Sequence, residues 1–276
     1  MSTWLITGCS SGLGRSLAEA VLARGHSAAI TARDAAKVQD LTDSFPHSAL
    51  SLRLDVTDHA EVEQAVRAAE ERFGAVDVLV NNAGYGYRAA IEEGDEADVH
   101  ALFATHFFGP IALVKAVLPG MRARRYGTIV NVSSIAARIC LAGTGYLAAA
   151  KAALEATTVA LRKELKPLGI NAMIVEPGAF RTNFYRSLTQ SREAIADYAG
   201  TAGGLRSKAD NTDRGDQPGD PAKAAQAIIT AVESPGPPLM LVLGSDALTN
   251  FRKVMDALGG DLDAWERLSI STSFSS

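Results

Sequence analysis

Cysteine is scarce. The 276 residues contain two, Cys9 and Cys140, in no C-x-x-C pair and with no Cys/His cluster around them. A disulfide framework is therefore excluded, and no metal site is expected. Thiols of this kind belong to a reducing compartment, so a cytoplasmic location is expected. Basic charge is not in excess either: 27 Lys and Arg against 31 Asp and Glu leave a net charge of −4. Neither nucleic acid nor an anionic membrane is expected as a partner. No uninterrupted apolar run approaches the roughly 18 residues that cross a bilayer. The opening residues, Met1 to Gly8, carry no basic stretch or small-residue cleavage site, so no signal peptide is expected. Internal repeats and low-complexity tracts are also missing.

What is present is the balance of a soluble globular protein, 47% hydrophobic and 21% charged, with enough chain for a core that needs no staples. Short apolar or β-branched runs predict strands near Thr3–Thr7, Ser27–Thr31, Ala49–Leu54, Val76–Asn81, Gly127–Val132, Asn171–Glu176 and Leu239–Leu243. Most are apolar throughout, as expected of parallel strands covered on both faces. Helical spacing predicts Gly12–Arg24, His59–Phe73, Ala148–Leu168 and Pro221–Glu233; in the second, Val62, Ala65, Val66, Ala69 and Phe73 share a face. This alternation implies an α/β fold with one doubly wound parallel sheet of about seven strands and helices on both faces.

Two segments depart from the pattern. Residues 180–217 are rich in Gly, Ser, Asp and Arg and read either as a substrate lid or as a plain surface loop. The segment Asp246–Leu268 reads as an amphipathic helix broken at Gly259-Gly260. The expected organisation is one domain over 1–245, with 180–217 as a loop within it, and a helical extension over 246–276.

The first strand runs into Thr7-Gly8-Cys9-Ser10-Ser11-Gly12-Leu13-Gly14 and then a helix. Glycines there let backbone approach a pyrophosphate, and the helix N-terminus points its free N–H groups at the anion. The turn resembles the cofactor turn of the short-chain dehydrogenase/reductase family. The resemblance continues in order through Asp55-Val56, Asn81-Asn82-Ala83-Gly84, Asn131-Val132-Ser133-Ser134 and Pro177-Gly178, and covers residues 3–245. It implies a Rossmann-type fold and a nicotinamide dinucleotide. Gly8, Ser10, Ser11, Gly12, Leu13 and Gly14 would cradle the phosphates, and Asp55 and Val56 would hold the adenine. Asn82, Ala83 and Gly84 would line the ribose, while Pro177, Gly178 and Thr182 would hold the nicotinamide end. The second strand ends Thr31-Ala32-Arg33-Asp34. Ala32 stands where the family places its NAD-selecting aspartate, and the Arg33 fork can pair with a 2′-phosphate. NADP (NADPH) is thus favoured over NAD, with Asp34 as the feature that leaves NAD open.

The resemblance also implies a catalytic set of Asn, Ser, Tyr and Lys. Lys151 takes the lysine role and Ser134 the serine role. The tyrosine position, four residues before Lys151 and thirteen after Ser134, is Leu147. Tyr146 is adjacent; in a helix it points about 100° away, so it reaches the site only through a shifted or frayed helix start. The asparagine position is His106, whose imidazole can hold or deliver a proton near neutral pH. An acceptor that needs no tyrosine, an imine or an activated alkene, would suit such a site, and Tyr85 or Tyr87 could supply a proton. Ile139, Cys140, Leu141, Phe180, Phe184 and Tyr185 are expected to wall an apolar pocket for a small-molecule substrate. The leading expectation is a NADP-dependent oxidoreductase with atypical proton handling. The alternatives are a cofactor-binding protein without catalysis, and a carbonyl reductase whose tyrosine has been replaced. Relatives pair through the helices that here span Asp98–Arg124 and Ala148–Leu168, so a homodimer or homotetramer is expected, unless the C-terminal extension covers that surface or the cleft.

Overall fold

A computed structural model describes residues 1–204 and 215–274. Residues 205–214, within the 180–217 segment set apart in the sequence, lie outside the described residues. The strands are β1 (Thr3–Ile6), β2 (Ser27–Ala32), β3 (Ala49–Arg53), β4 (Val78–Asn81), β5 (Tyr87–Arg88), β6 (Gly127–Val132), β7 (Ile170–Pro177), β8 (Thr189–Gln190) and β9 (Met240–Leu243). The helices are α1 (Gly12–Ala23), α2 (Gln39–Ser44), α3 (His59–Phe73), α4 (Glu96–Phe103), α5 (Gly109–Arg124), α6 (Ala136–Ile139), α7 (Gly145–Leu165), α8 (Pro221–Glu233) and α9 (Ser245–Ile270). Seven strands form one sheet in the order β3-β2-β1-β4-β6-β7-β9. Every pairing in it is parallel. The order reverses direction between β1 and β4, which places a crevice at their carboxyl ends.

Alternation of side chains along the strands builds two core layers. Trp4, Ile6, Val78, Val80, Val130 and Val175 face one layer with Leu17 and Val21 of α1 and Ile228 and Ile229 of α8. Leu5, Leu79, Ile129 and Ala172 face the other with Val62 and Val66 of α3, Leu113 and Val117 of α5 and Leu161 of α7. Aspartates start three of these helices. Asp58 accepts from the amides of Ala60 and Glu61, Asp95 from Ala97, and Asp220 from Ala222 and Lys223. Each satisfies donors that would otherwise be unpaired in the first turn.

Four features differ from the sequence-based expectation. Helix α7 begins at Gly145, three residues early, so Tyr146 and Leu147 are both firmly helical. Helix α9 runs unbroken through Gly259-Gly260, although a glycine inside a helix costs about 1 kcal/mol relative to alanine. The loop after β4 and the 180–217 segment pair with each other through β5 and β8, Tyr87 opposite Thr189 and Arg88 opposite Gln190. Lastly, α4 and α5 join through a π-helical turn, Ala104–Phe108. Together they make a 29-residue helix, Glu96–Arg124, apolar enough by length and composition alone to cross a membrane. Single polar residues such as His100 and Lys115 hide this from a search for uninterrupted runs. Its stripe Leu102, Leu113, Val117 and Met121 is buried in the domain, which is how a core helix of a globular protein reaches the same composition.

Candidate active site

The turn after β1 is folded by its neighbours. The Thr7 hydroxyl accepts from the amides of Asn82 and Ala83 at 2.9 and 3.0 Å, and the Asn82 side-chain amide donates to the carbonyls of Thr7 and Gly8 at 2.8 and 3.2 Å. Gly8 adopts φ +72°, and a Cβ there would meet Ala83 Cα at 2.8 Å; one on Gly14 would meet the Asn82 amide at 2.3 Å. Neither position accepts a side chain. Helix α1 differs from α3, α4 and α8 because its N-cap residue, Ser11, makes no side-chain capping bond. Its first-turn amides face a cavity of about 1450 Å3, lined here by Gly8, Ser10, Ser11, Gly12 and Leu13. That is the arrangement a pyrophosphate requires, so the residues present fit a dinucleotide. Gly14 is not in the lining; it supports the turn from behind.

The same cavity runs along the carboxyl ends of the strands. Arg33, Asp55, Val56, Asn82, Ala83, Gly84, Pro177, Gly178 and Thr182 line it. Arg33 is exposed at its mouth beside buried Ala32. Asp34 is not in the lining; its side chain accepts from the Ala36 amide and caps the short turn Ala35–Val38. Burial pushes the Asp55 carboxyl up, but hydrogen bonds from the Thr57 amide and hydroxyl, with the charges of Arg33 and Arg53, bring it below the usual carboxylate range.

At the inner end, a buried chain of hydrogen bonds ties three elements together. Asn81 donates to Asn131 at 2.8 Å, Asn131 to the Thr158 hydroxyl at 2.8 Å, and Thr158 to the Leu154 carbonyl at 2.6 Å. This locks α7 against β4 and β6. Lys151, on α7, donates to the Val132 carbonyl at 2.7 Å, and burial lowers its pKa to about 8, with the charge of Glu155 opposing. Ser134, whose hydroxyl accepts from the Ala136 amide, lines the cavity together with Lys151, His106 and Leu147. Leu147 is 7% exposed and packs with Tyr87, Ala89 and Leu102 as an apolar wall.

The π turn carries His106 inward, to 1% exposure. Its Nε2 lies 2.7 Å from the Tyr85 carbonyl and 3.2 Å from the Tyr85 amide. A carbonyl can only accept, so the shorter contact puts the proton on Nε2 and leaves Nδ1 an acceptor, buried and without a partner among the described residues. Burial, then the charge of Lys151, pushes the imidazole well below its usual pKa. This environment favours the neutral imidazole, against the expectation of a histidine that titrates near neutral pH.

Tyr146 does not reach the cavity. Its hydroxyl donates to the Ile91 carbonyl at 2.6 Å, and its ring lies against Gly94. Cys140 is likewise outside the lining. It ends α6 with φ 42° and sits exposed, its Sγ against the Ala137 carbonyl at 3.6 Å. Ile139, Leu141, Phe180, Phe184 and Tyr185 do line the cavity.

The sequence matches the short chain dehydrogenase family over residues 2–193. This chain belongs to that family. A crystal structure of a short-chain dehydrogenase from Streptomyces avermitilis is 41% identical, with TM-score 0.92 over 99% of this chain and 100% of that one. An oxidoreductase of Botryotinia fuckeliana is 34% identical over 270 residues, 98% of both chains. A short-chain dehydrogenase/reductase from Burkholderia phymatum, solved in complex with NAD, shares the fold at 22% identity and TM-score 0.80, over 91% of this chain and 92% of that one.

This short chain dehydrogenase carries groups at its site that no sequence motif had flagged. Glu155 lies one turn beyond Lys151. It accepts from the Ser133 hydroxyl and pairs with Arg138, which also binds Glu176 at 3.0 Å. Burial, despite the hydrogen bond from Ser133, and the neighbouring Glu176 raise the Glu155 pKa. The four-residue spacing of Lys151 and Glu155 on one helix face was the available signal. Asp246 and Asn250, from the root of α9, line the cavity, as does Arg88 from β5. Glu93 fastens the 180–217 segment to the loop before α4 by accepting from the amides of Ile195 at 2.8 Å and Ala90 at 3.0 Å.

Proposed function

We propose that this chain is a NADP(H)-dependent oxidoreductase acting on a small, mainly apolar carbonyl, imine or activated alkene, without a tyrosine at the usual proton-transfer position. The observation that carries the reading is one cavity holding Ser134 and Lys151 together with an aliphatic wall at Leu147. Bound nicotinamide dinucleotide supplies or accepts the hydride. The protein's part is positioning and proton control. Ser134 can donate a hydrogen bond to the substrate heteroatom. The Lys151 ammonium can hold the ribose of the cofactor. The Nδ1 atom of neutral His106 can accept a hydrogen bond, and Tyr85, Tyr87 and Tyr185 place phenols in the same cavity wall. Leu147 cannot donate a proton, so an acceptor that arrives protonated, or is activated by conjugation, suits the site better than a simple ketone. The two free cysteines support a cytoplasmic setting.

NADP preference rests on Arg33 at the mouth, Ala32 in place of a carboxylate and Asp34 drawn into a cap. The test is a fluorescence titration with NADPH and NADH, followed by a screen of ketones, cyclic imines and enones for NADPH oxidation. NADPH should bind more tightly. Arg33→Ala should weaken NADPH roughly 10- to 100-fold, the value of a lost charge-assisted hydrogen bond, while NADH changes little. Equal loss for both cofactors would remove the NADP assignment. Binding with no turnover in any substrate class would leave a cofactor-binding protein rather than an enzyme.

A further inference from the structure

Helix α9 leaves the domain after its first two turns. Ala247 is its one fully buried residue, and Phe251 lies over Arg138, 5.6 Å from its guanidinium carbon. From Met255 on, the helix projects about 24 Å at 1.5 Å per residue. Its apolar side chains, half-buried at Phe251 and otherwise exposed, are not those of a solvated helix. Leu248, Phe251, Met255, Leu258, Leu262 and Trp265 recur at alternating steps of three and four, the seam of a helix that packs along another helix. Leu262 is 73% exposed and Trp265 62%. The same stretch holds Gly259 and Gly260, with open space around both, yet the helix is continuous, as expected if a second element supports it.

We propose that α9 is a self-association surface that pairs antiparallel with α9 of a second copy of this chain. The seam is its own complement about a two-fold axis between residues 256 and 257. Leu248 then meets Trp265 of the second copy, Phe251 meets Leu262, and Met255 meets Leu258, so all six positions are filled. Charge fixes the direction. Arg252 and Glu266 flank the seam on the same side, fourteen residues apart. Antiparallel pairing brings the Arg252 end of each helix beside the Glu266 end of the other. Parallel pairing would instead set Asp261 against Glu266, acid against acid. A membrane surface fits less well. Between 251 and 270 the charged residues are Arg252, Lys253 and Arg267 against Asp256, Asp261, Asp263 and Glu266, whereas helices that lie on anionic bilayers carry a cationic polar face. Because the root of α9 supplies Asp246 and Asn250 to the cavity wall, pairing would also steady that wall.

The test uses the full chain and needs no turnover. Sedimentation should give the parent at least twice the mass of one chain. Leu258→Glu/Leu262→Glu should halve the assembly, and both positions are exposed, so the fold is retained. Arg252→Glu and Glu266→Arg should each weaken self-association by about tenfold, and the double exchange should restore it. A parent that stays monomeric, or an assembly unchanged by the Leu258/Leu262 variant, would overturn the proposal. So would a charge exchange that fails to restore pairing. Flotation with phosphatidylcholine–phosphatidylglycerol vesicles that the same leucine variant abolishes would assign the face to a membrane instead.

Discussion

The ammonium of Lys151 is held 2.7 Å from the carbonyl of Val132, the last residue of β6. That bond anchors the lysine at the carboxyl edge of the sheet, in the lining of the cavity. It does not compensate for burial, which brings the lysine to about 8 from 10.5. The unfolded chain therefore keeps this proton between about 8 and 10.5 while the folded chain releases it. Stability rises wherever the unfolded state binds more protons, so this group should make the protein more stable as pH climbs through that window. Urea midpoints of the parent and Lys151→Met, followed from pH 7.5 to 10.5, check this. The methionine variant should lose the rise. An identical rise in both would assign it to other groups.

His106 gives the opposite expectation for catalysis. Because the imidazole is held neutral by burial and by Lys151, it should not produce an inflection in a pH–rate profile between 6 and 7. The inflection should fall near 8 and belong to Lys151. His106→Asn should change the rate, since it alters a residue of the cavity lining, and leave that inflection in place. A parent inflection between 6 and 7 that vanishes in His106→Asn would show that the histidine takes and gives the proton.

Tyr146 should be silent in turnover. Its hydroxyl binds the Ile91 carbonyl outside the cavity, so Tyr146→Phe should remove one hydrogen bond, at a cost of about 0.5–1.5 kcal/mol of stability, and leave kcat unchanged. Measuring kcat and the urea midpoint on the same preparation separates the two. A large fall in kcat at unchanged stability would return Tyr146 to the site.

Much of this was legible in the residues, and what was not has physical causes. The apolar strands were readable because β1, β4 and β6 are buried along their whole length and each ends in a turn of distinctive residues. The limits of β6, α3 and α8 match their patterns residue for residue, two of them because an aspartate cap marks the start. The pair β5–β8 was invisible because two-residue strands have no period; distant partners create them. The π turn was invisible for a similar reason: it carries His106 into the core by inserting into a helix whose spacing otherwise continues. Cys140 was misplaced among the pocket residues because its neighbours do line the cavity, whereas its own left-handed backbone turns it to solvent. The electrostatics of His106 depended on Tyr85 and Lys151, 21 residues before it and 45 after it in the chain.

Leu147 is the residue on which the chemistry turns. It stands one helical turn before Lys151, on the same face of α7, and is packed with Tyr87 and Leu102 rather than left loose. A phenol introduced there would point toward the space shared with Ser134 and Lys151, because α7 is already helical at 147. Leu147→Tyr should therefore bring in a general acid, a contribution of about 100- to 10,000-fold in rate, for simple ketones that lack a proton source in the parent. It should not help a cyclic imine, which arrives protonated and would lose room to the added ring. The measurement is kcat/KM of parent and variant on one ketone and one imine at a fixed NADPH concentration. A gain on the ketone with a loss on the imine fits a site shaped around Leu147. A gain of the same size on both would mean that the leucine is a lesion in an ordinary carbonyl reductase, and that the apolar wall plays no part in choosing the substrate.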